Sequence, residues 1–154
     1  TVENNGVSVT SSSTHTIDNW ANPQSFTGED TASANNLSEV MRDIRWSAAP
    51  NPLTIDVKGL IPGGLYELQL LFNEGADRNR GWDISVNEEL VVDNITSEGL
   101  QDVHTWSPAL GAAYAANFLA TDTGSLNVIM QNDVITNHTI SIDDCIFANL
   151  DILS

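Results

Sequence analysis

Residues 53–93 constrain the fold most, because apolar side chains recur at every second position in three successive stretches. In the middle stretch, Tyr66, Leu68, Leu70 and Phe72 alternate with polar residues. Residues 53–57 before it and 82–86 after it show the same period. This period is typical of β-strands that bury one face. It predicts three strands, with Trp82 in the core.

Two short turns would join these strands. Residues 61–64 contain one proline, which fixes φ, and two glycines, which tolerate positive φ. Asn87 and Glu88 separate the third stretch from another apolar run, residues 90–92. The arrangement predicts an antiparallel meander in which successive strands are neighbours.

Shorter alternating stretches predict strands in the rest of the chain, at residues 7–10, 16–20, 114–120, 126–130 and 140–152. The 154 residues show no repeat at a fixed period. We therefore expect a single domain, residues 1–154, that is all-β. Its predicted architecture is a two-sheet antiparallel β-sandwich of jelly-roll type, with at most one short helix.

The region before residue 53 gives a weaker signal. Residues 21–36 are rich in Asn, Ser, Thr, Gly and Pro, which predicts an irregular loop. In residues 36–46 the apolar side chains fit a helical period, with Asn36 and Glu39 spaced as in a capping box. Val40, Ile44 and Trp46 also fit alternation. We expect a short helix or an irregular turn there.

The charge balance limits the partners. The chain has 21 acidic and 5 basic residues, a net charge of −16. Nucleic acids and anionic membrane surfaces both require clustered cations, so neither is an expected partner. No apolar run approaches the roughly 20 residues that span a bilayer, which predicts no membrane insertion. The acidity favours either solubility alone or binding of Ca²⁺ through carboxylate oxygens.

Connection lengths predict a binding surface. Successive connections in a meander alternate between its two ends, which places the short turns 60–65, 87–88 and 121–124 together. The longer connections 47–52, 73–81, 94–112 and 132–138 then share the other end. Ligand-binding residues gather on such loops, although long polar loops can also be tolerated without a role. The candidates there, with Trp46 at the margin, are Asp77, Arg78, Asn79, Arg80, His104, Trp106, Asn132, Asp133 and Asn137.

Two of the candidate residue types, tryptophan and arginine, have a clear role in ligand binding. Trp106 lies between polar residues and could be an exposed stacking platform or a cover over the end of the core. Arg78 and Arg80 could bond vicinal hydroxyls or a carboxylate through their planar guanidinium groups. The alternative is local pairing with Asp77 or Asp83.

Asp144 interrupts the apolar face of the last predicted strand, between Ile142 and Ile146. An unpaired buried carboxylate is costly, so it must be bonded, paired, metal-bound or neutralised. A metal ion could be shared with N-terminal side chains such as Glu3 and Asp18. An arginine or backbone partner is a second explanation, and a β-bulge that turns Asp144 to solvent is a third.

Residues 61–74 and 80–87 resemble the central motif of malectin-like and related galactose-binding-like carbohydrate-binding domains. Residues 142–147 are similar to their closing strand. The resemblance implies a β-sandwich fold, a polysaccharide or glycan ligand, and a structural Ca²⁺ that the acidic residue of this strand shares with N-terminal residues. Here those residues would be Asp144, Glu3 and Asp18. Asn87-Glu88 replaces the Asn-Gly turn of the family.

We therefore expect a non-catalytic carbohydrate-binding module of an extracellular or cell-surface protein. The chain has no Gly-x-Ser-x-Gly elbow, His-x-x-x-His pair or phosphate loop, so no enzyme is predicted. The alternative is a structural or adhesin subunit that assembles through sheet edges or termini, or attaches to other domains.

Overall fold

A computed structural model describes residues 1–19, 30–40, 42–48, 50–73, 81–96, 99–100, 111–132 and 145–146. These residues form one helix and twelve strands. The helix is α1 (Thr31–Val40). The strands are β1 (Val2–Asn4), β2 (Val7–Ser11), β3 (Thr16–Ile17), β4 (Ile44–Trp46), β5 (Leu53–Lys58), β6 (Leu65–Asn73), β7 (Trp82–Val86), β8 (Glu89–Thr96), β9 (Gly99–Leu100), β10 (Gly111–Leu119), β11 (Ser125–Asn132) and β12 (Cys145–Ile146).

The strands form two layers. One layer is a seven-stranded sheet with the order β1-β2-β5-β11-β7-β8-β9. The other contains the pair β10-β6 and the three-stranded sheet β12-β4-β3, with β12 in contact with β6. Every strand pair is antiparallel. The predicted all-β, two-sheet antiparallel sandwich is therefore confirmed, although β1 and β9 were not anticipated.

The predicted meander is wrong between β5 and β6 and also between β6 and β7, since β7 pairs with β11 and β8 in the layer that contains β5. Strand β5 pairs with β2 and β11, whereas β6 pairs with β10 in the opposite layer. The turn at residues 61–64 thus carries the chain from one sheet to the other. Alternation shows that a strand buries one face against the core. It does not show which strand is its hydrogen-bonded neighbour, so two successive alternating strands can lie in the same sheet or in opposite sheets.

The core lies between the layers and contains the alternating residues identified in the sequence. Strand β7 is buried at every second position, and Trp82 is fully buried as predicted. The rings of Phe72 and Trp82 stack across the layers with centroids 5.8 Å apart. The other core residues of the central strands are Leu53, Ile55, Val57, Tyr66, Leu68, Leu70, Ile84, Val86, Leu126, Val128 and Met130.

The hairpin of β7 and β8 is the part of the meander that is confirmed. Asn87 and Glu88 form its turn with φ values of 49° and 70°, and Val86 pairs with Glu89. Two consecutive residues with positive φ match the turn that follows the right-handed twist of a hairpin. The departure from Asn-Gly is therefore accommodated without a change of connection.

The region before β5 corrects two predictions. Helix α1 begins at Thr31, inside the predicted loop, and its cap is Asp30 instead of Asn36. The Asp30 carboxylate accepts hydrogen bonds from the Ala32 N–H (3.0 Å) and the Ser33 hydroxyl (2.5 Å). The pKa of this carboxyl lies below its usual range. The largest cause is the hydrogen bond from the Ser33 hydroxyl, and the backbone N–H groups of Ser33 and Ala32 contribute less.

The second correction concerns the end of this region: the observed helix ends at Val40, and the last residues of the predicted helix or irregular turn form β4 instead. Residues 44–46 form a strand between β3 and β12, and the side chain of Ile44 is 1% exposed. Both periods were present in the sequence. Pairing with two distant strands decides between them, because burial of Ile44 requires the extended conformation.

The sandwich has two unlike ends. The turn end contains the turns 61–64, 87–88 and 121–124, joined by backbone hydrogen bonds such as Leu60 N–H to Gly124 O (3.0 Å) and Ala120 N–H to Gly64 O (2.8 Å). Strands β6 and β11 start there and run to the opposite end, which we call the crossover end. The predicted grouping of the short turns is confirmed.

Candidate functional site

An open cleft of about 310 Å³ lies at the crossover end. Two connections form it: residues 12–15, which lead from β2 to β3, and residues 47–52, which lead from β4 to β5. Each connection passes from one layer of the sandwich to the other. The lining of this crossover cleft consists of Ser12, Ser13, Thr14, His15, Ser47, Asn51 and Pro52.

Ser12 fixes the first connection to the start of β5. Its N–H donates to the Thr54 carbonyl oxygen at 2.9 Å, and its hydroxyl oxygen accepts from the Thr54 N–H at 3.0 Å. This reciprocal pair extends the β2–β5 ladder by one step. The cleft is therefore anchored on the rigid seven-stranded sheet on one side.

Ser13 joins the first connection to β4. Its side chain is 8% exposed, and its hydroxyl donates to the Trp46 carbonyl oxygen at 2.5 Å. The Ser13 hydroxyl oxygen in turn accepts from the His15 N–H at 3.1 Å. A hydroxyl has one donor and two acceptor positions, so Ser13 uses its donor and one acceptor in fixing the two residues behind the cleft.

His15 and Trp46 form an aromatic wall. Their rings stack with centroids 5.0 Å apart and planes inclined by 27°, and the Trp46 N–H donates to the His15 carbonyl oxygen at 3.3 Å. His15 is exposed and lines the cleft, whereas Trp46 is half-buried and is not part of the lining. A ligand would therefore meet the imidazole ring, which the indole supports from behind.

The lining offers hydroxyl, amide and imidazole groups and contains no Asp, Glu, Lys or Arg. The hydroxyls of Thr14 and Ser47 and the imidazole of His15 make no hydrogen bond with any other residue that the structure describes. They can therefore both donate to and accept from a ligand. Arg45 lies on the opposite face of β4 from Trp46, exposed, with its guanidinium donating to the Ser13 carbonyl oxygen at 3.2 Å.

The predicted ligand-binding residues are only partly placed. Asn132 ends β11 at the crossover end, opposite Trp82, as the strand directions predicted. Asn73 ends β6 at the same end, opposite Gly111. The other candidates lie outside the described residues and stay predictions: Asp77, Arg78, Asn79, Arg80, His104, Trp106, Asp133 and Asn137.

The predicted calcium ligands are likewise incomplete. Glu3 is exposed in β1 of the seven-stranded sheet, and Asp18 is exposed just after β3 in the three-stranded sheet. Asp144 lies outside the described residues. Among those that the structure does describe, no three His, Cys, Asp or Glu side chains cluster in a way that could hold a metal ion. Calcium binding stays a prediction.

Sequence reasoning missed the Ser12–Ser13–His15 side of the cleft, because a Ser/Thr run reads as an ordinary surface turn. The signal in the sequence was Trp46, an aromatic residue at the margin of one of the long connections. Its partner across the strands could not be identified without the register of β3 and β4, in which Thr16 pairs with Arg45.

No protein-family model matches the chain, and no curated protein matches it. Among solved structures, the extracellular domain of ANXUR2 from Arabidopsis thaliana has a TM-score of 0.60 at 11% identity, over 93% of this chain and 41% of that one. The plant receptor-like kinase ANX2 has a TM-score of 0.62 at 12% identity, over 93% of this chain and 40% of that one.

The neighbours also include carbohydrate-binding modules. CBM35 from Paenibacillus barcinonensis matches 96% of this chain and 98% of its own at 12% identity, but its TM-score of 0.41 is too low for a structural inference. The receptor matches show the fold alone, and the chain spans about 40% of their length. The β-sandwich implied by the malectin-like and galactose-binding-like resemblance is thus confirmed. No helix in the described part of the chain is long and apolar enough to cross a membrane.

Proposed function

We propose that the chain is a non-catalytic carbohydrate-binding module that holds sugar in the crossover cleft. The observation that carries the proposal is the combination of an aromatic wall, His15 supported by Trp46, with neutral hydroxyl and amide groups around one cleft. Sugar rings present the same two kinds of surface, an apolar C–H face and a border of hydroxyls.

The size and openness of the cleft fit this role. Its volume of about 310 Å³ is at the lower end of the range of small-molecule sites, about 300–1,000 Å³. One or two sugar rings would occupy it, with a ring face against the imidazole of His15 and hydroxyls bonded to Thr14, Ser47 and Asn51. Because an open cleft buries little ligand surface, we expect weak binding at a single site.

Binding without turnover also agrees with the described geometry. A serine nucleophile requires a base within hydrogen-bond reach. In the described part of the chain, no serine hydroxyl is bonded to the His15 ring, and the Ser13 hydroxyl donates instead to a backbone carbonyl.

The loops predicted from the sequence would enlarge this site. Strands β6 and β11 both end at the crossover end, and the chain continues from them toward Arg78, Arg80 and Asp133. We propose that these residues and Trp106 contact further sugar units, and that Asp144 holds a structural calcium ion. An extracellular location is part of the proposal, supported by the extracellular domains among the structural neighbours.

Affinity electrophoresis and a glycan array would test the proposal. We expect retention on at least one polysaccharide and a roughly tenfold loss of affinity, about 1.4 kcal/mol, in His15→Ala. The matched control is Leu119→Ala, which truncates an exposed side chain at the turn end. No retention on any glycan, or equal losses in both variants, would contradict the proposal.

Assembly through the turn end is the second candidate function. Leu119 pairs with Leu65 across β10 and β6, and both are more than half exposed, at 62% and 64%. Ile61, in the adjoining turn, is 72% exposed. The exposed pair Leu65 and Leu119, with Ile61 in the turn before β6, offers apolar surface that a second copy of the chain could cover. Sedimentation should then show a dimer that Leu119→Lys dissociates, whereas a monomer at all concentrations would exclude it.

A further inference from the structure

We infer that the crossover cleft selects uncharged sugars and discriminates against uronic acids and sulfated sugars. This inference rests on the proposed carbohydrate binding and adds the class of ligand. It is carried by the chemistry of the lining and by the charge of the whole chain.

The polar groups of the lining match hydroxyls better than they match carboxylates. The Thr14 and Ser47 hydroxyls and the Asn51 amide can each donate and accept a hydrogen bond, as a sugar hydroxyl does. A carboxylate only accepts, so it could use at most half of this capacity. Moving it from water into the cleft would cost free energy, and the lining contains no Lys or Arg to offset that cost.

Among the described residues, Arg45 is a cation that forms a hydrogen bond with a residue of the lining. Its position nevertheless does not create a binding site for a carboxylate in the cleft. Its guanidinium donates to the Ser13 carbonyl oxygen at 3.2 Å. In β4, Ile44 is buried and Trp46 half-buried, whereas Arg45 is exposed between them. Strand alternation therefore directs Arg45 to the outer face, away from the side of β4 on which Trp46 and His15 stack.

The charge of the protein acts in the same direction. With 21 acidic and 5 basic residues, the net charge of −16 repels an approaching anion. This repulsion reaches about 8 Å at physiological ionic strength and about 30 Å at 0.01 M. Discrimination against anionic sugars should therefore be strongest at low salt, while binding of neutral sugars should depend little on salt.

Calorimetry with matched oligosaccharide pairs tests the inference. Each neutral oligosaccharide that the full chain binds is compared with the uronic acid of the same linkage, at 10 mM and 500 mM NaCl. We expect at least a tenfold preference for the neutral member at 10 mM, falling to about threefold at 500 mM. Equal or tighter binding of the uronic acid would overturn the inference.

Three variants separate local charge from total charge. Asn51→Asp adds a negative charge inside the cleft with little change of shape, and it should increase the preference for the neutral member several-fold. Asn51→Lys should reduce that preference to near unity. Asn4→Asp makes the same charge change on exposed β1 beside the turn end, and it should leave the preference within twofold of wild type.

The outcomes distinguish this inference from the proposed function. If no oligosaccharide binds, carbohydrate binding itself is wrong. If uronic acids bind and Arg45→Gln or the double variant Arg78→Ala/Arg80→Ala removes that binding, a cation outside the lining determines selectivity and the inference is wrong while carbohydrate binding stands. If Asn4→Asp shifts the preference as much as Asn51→Asp does, the lining does not select and the inference is also wrong.

Discussion

Both the turn end and the crossover end contain connections between the two layers, but different contacts hold these connections in place. At the turn end the connections bond to one another through their backbones, as in Gly63 N–H to Ala120 O (3.2 Å) and Leu60 N–H to Gly124 O (3.0 Å). A Cβ atom added at Gly124 would meet the Leu60 carbonyl oxygen. The backbones are therefore too close to leave a cleft.

At the crossover end side-chain hydroxyls add to the backbone hydrogen bonds that hold the connections. The Ser12 hydroxyl accepts from the Thr54 N–H and the Ser13 hydroxyl donates to the Trp46 carbonyl oxygen, and the two connections lie on either side of an open space. The space between them is the cleft, and the hydroxyls that are not needed for these ties face it. The comparison indicates that the turn end provides rigidity and the crossover end provides chemistry. Substitutions at the turn end should therefore affect stability alone, whereas substitutions at the crossover end should also affect binding.

The largest expected effect is at the turn end. Gly124 and Gly63 both have a φ of 68°, but only Gly124 has a backbone oxygen where its Cβ would stand. Gly124→Ala should lower the free energy of unfolding by roughly 3–4 kcal/mol through strain and collision. Gly63→Ala should cost about 1 kcal/mol through its positive φ alone. Urea denaturation measures both, and equal losses would show that the turns can separate freely.

Ser13 and Ser47 provide the next test, at the crossover end. Ser13→Ala leaves the Trp46 carbonyl and the His15 N–H without their partner, so we expect a loss of about 2 kcal/mol in stability and a roughly tenfold weaker affinity. Ser47→Ala should weaken binding several-fold with unchanged stability, because its hydroxyl bonds to no described residue. Urea denaturation measures the stability of both variants. An equal loss of unfolding free energy in Ser13→Ala and Ser47→Ala would contradict the prediction.

The smallest expected effect concerns two tyrosines of the layer formed by β6 and β10. Tyr66 is near the turn end, and its hydroxyl accepts from the Ile61 N–H at 2.8 Å. Tyr66→Phe should therefore cost about 1 kcal/mol at neutral pH.

Tyr114 should differ from Tyr66 in its response to pH. Burial raises the pKa of the Tyr114 phenol above its usual value of 10.0. The unfolded chain would lose this proton first, so the stability that Tyr114 contributes is present below pH 10 and is lost as the pH rises above it. Tyr114→Phe should flatten the decline in stability above pH 10. An unchanged decline in the variant would show that Tyr114 does not contribute to it.

The sequence was sufficient for the buried faces and for the grouping of the short turns. Alternation identified Leu68, Leu70, Trp82 and Val128 as core residues because burial of one face imposes a period of two on any strand. The start of α1 was missed because Asp30 caps it from within a stretch of loop-forming composition. Ser13 was missed because a hydroxyl in a Ser/Thr run has no distinguishing neighbour in the sequence.

By itself the sequence determined which residues of the long central strands face inward and which connections are short. These are local properties, fixed by the period of the chain and by turn residues such as Pro62. Only the tertiary structure decided that β5 and β6 lie in opposite layers and that His15 stacks on Trp46. Both depend on pairing between residues far apart in the chain, which is selected by the total burial and hydrogen bonding of the sandwich and leaves no trace in any single segment.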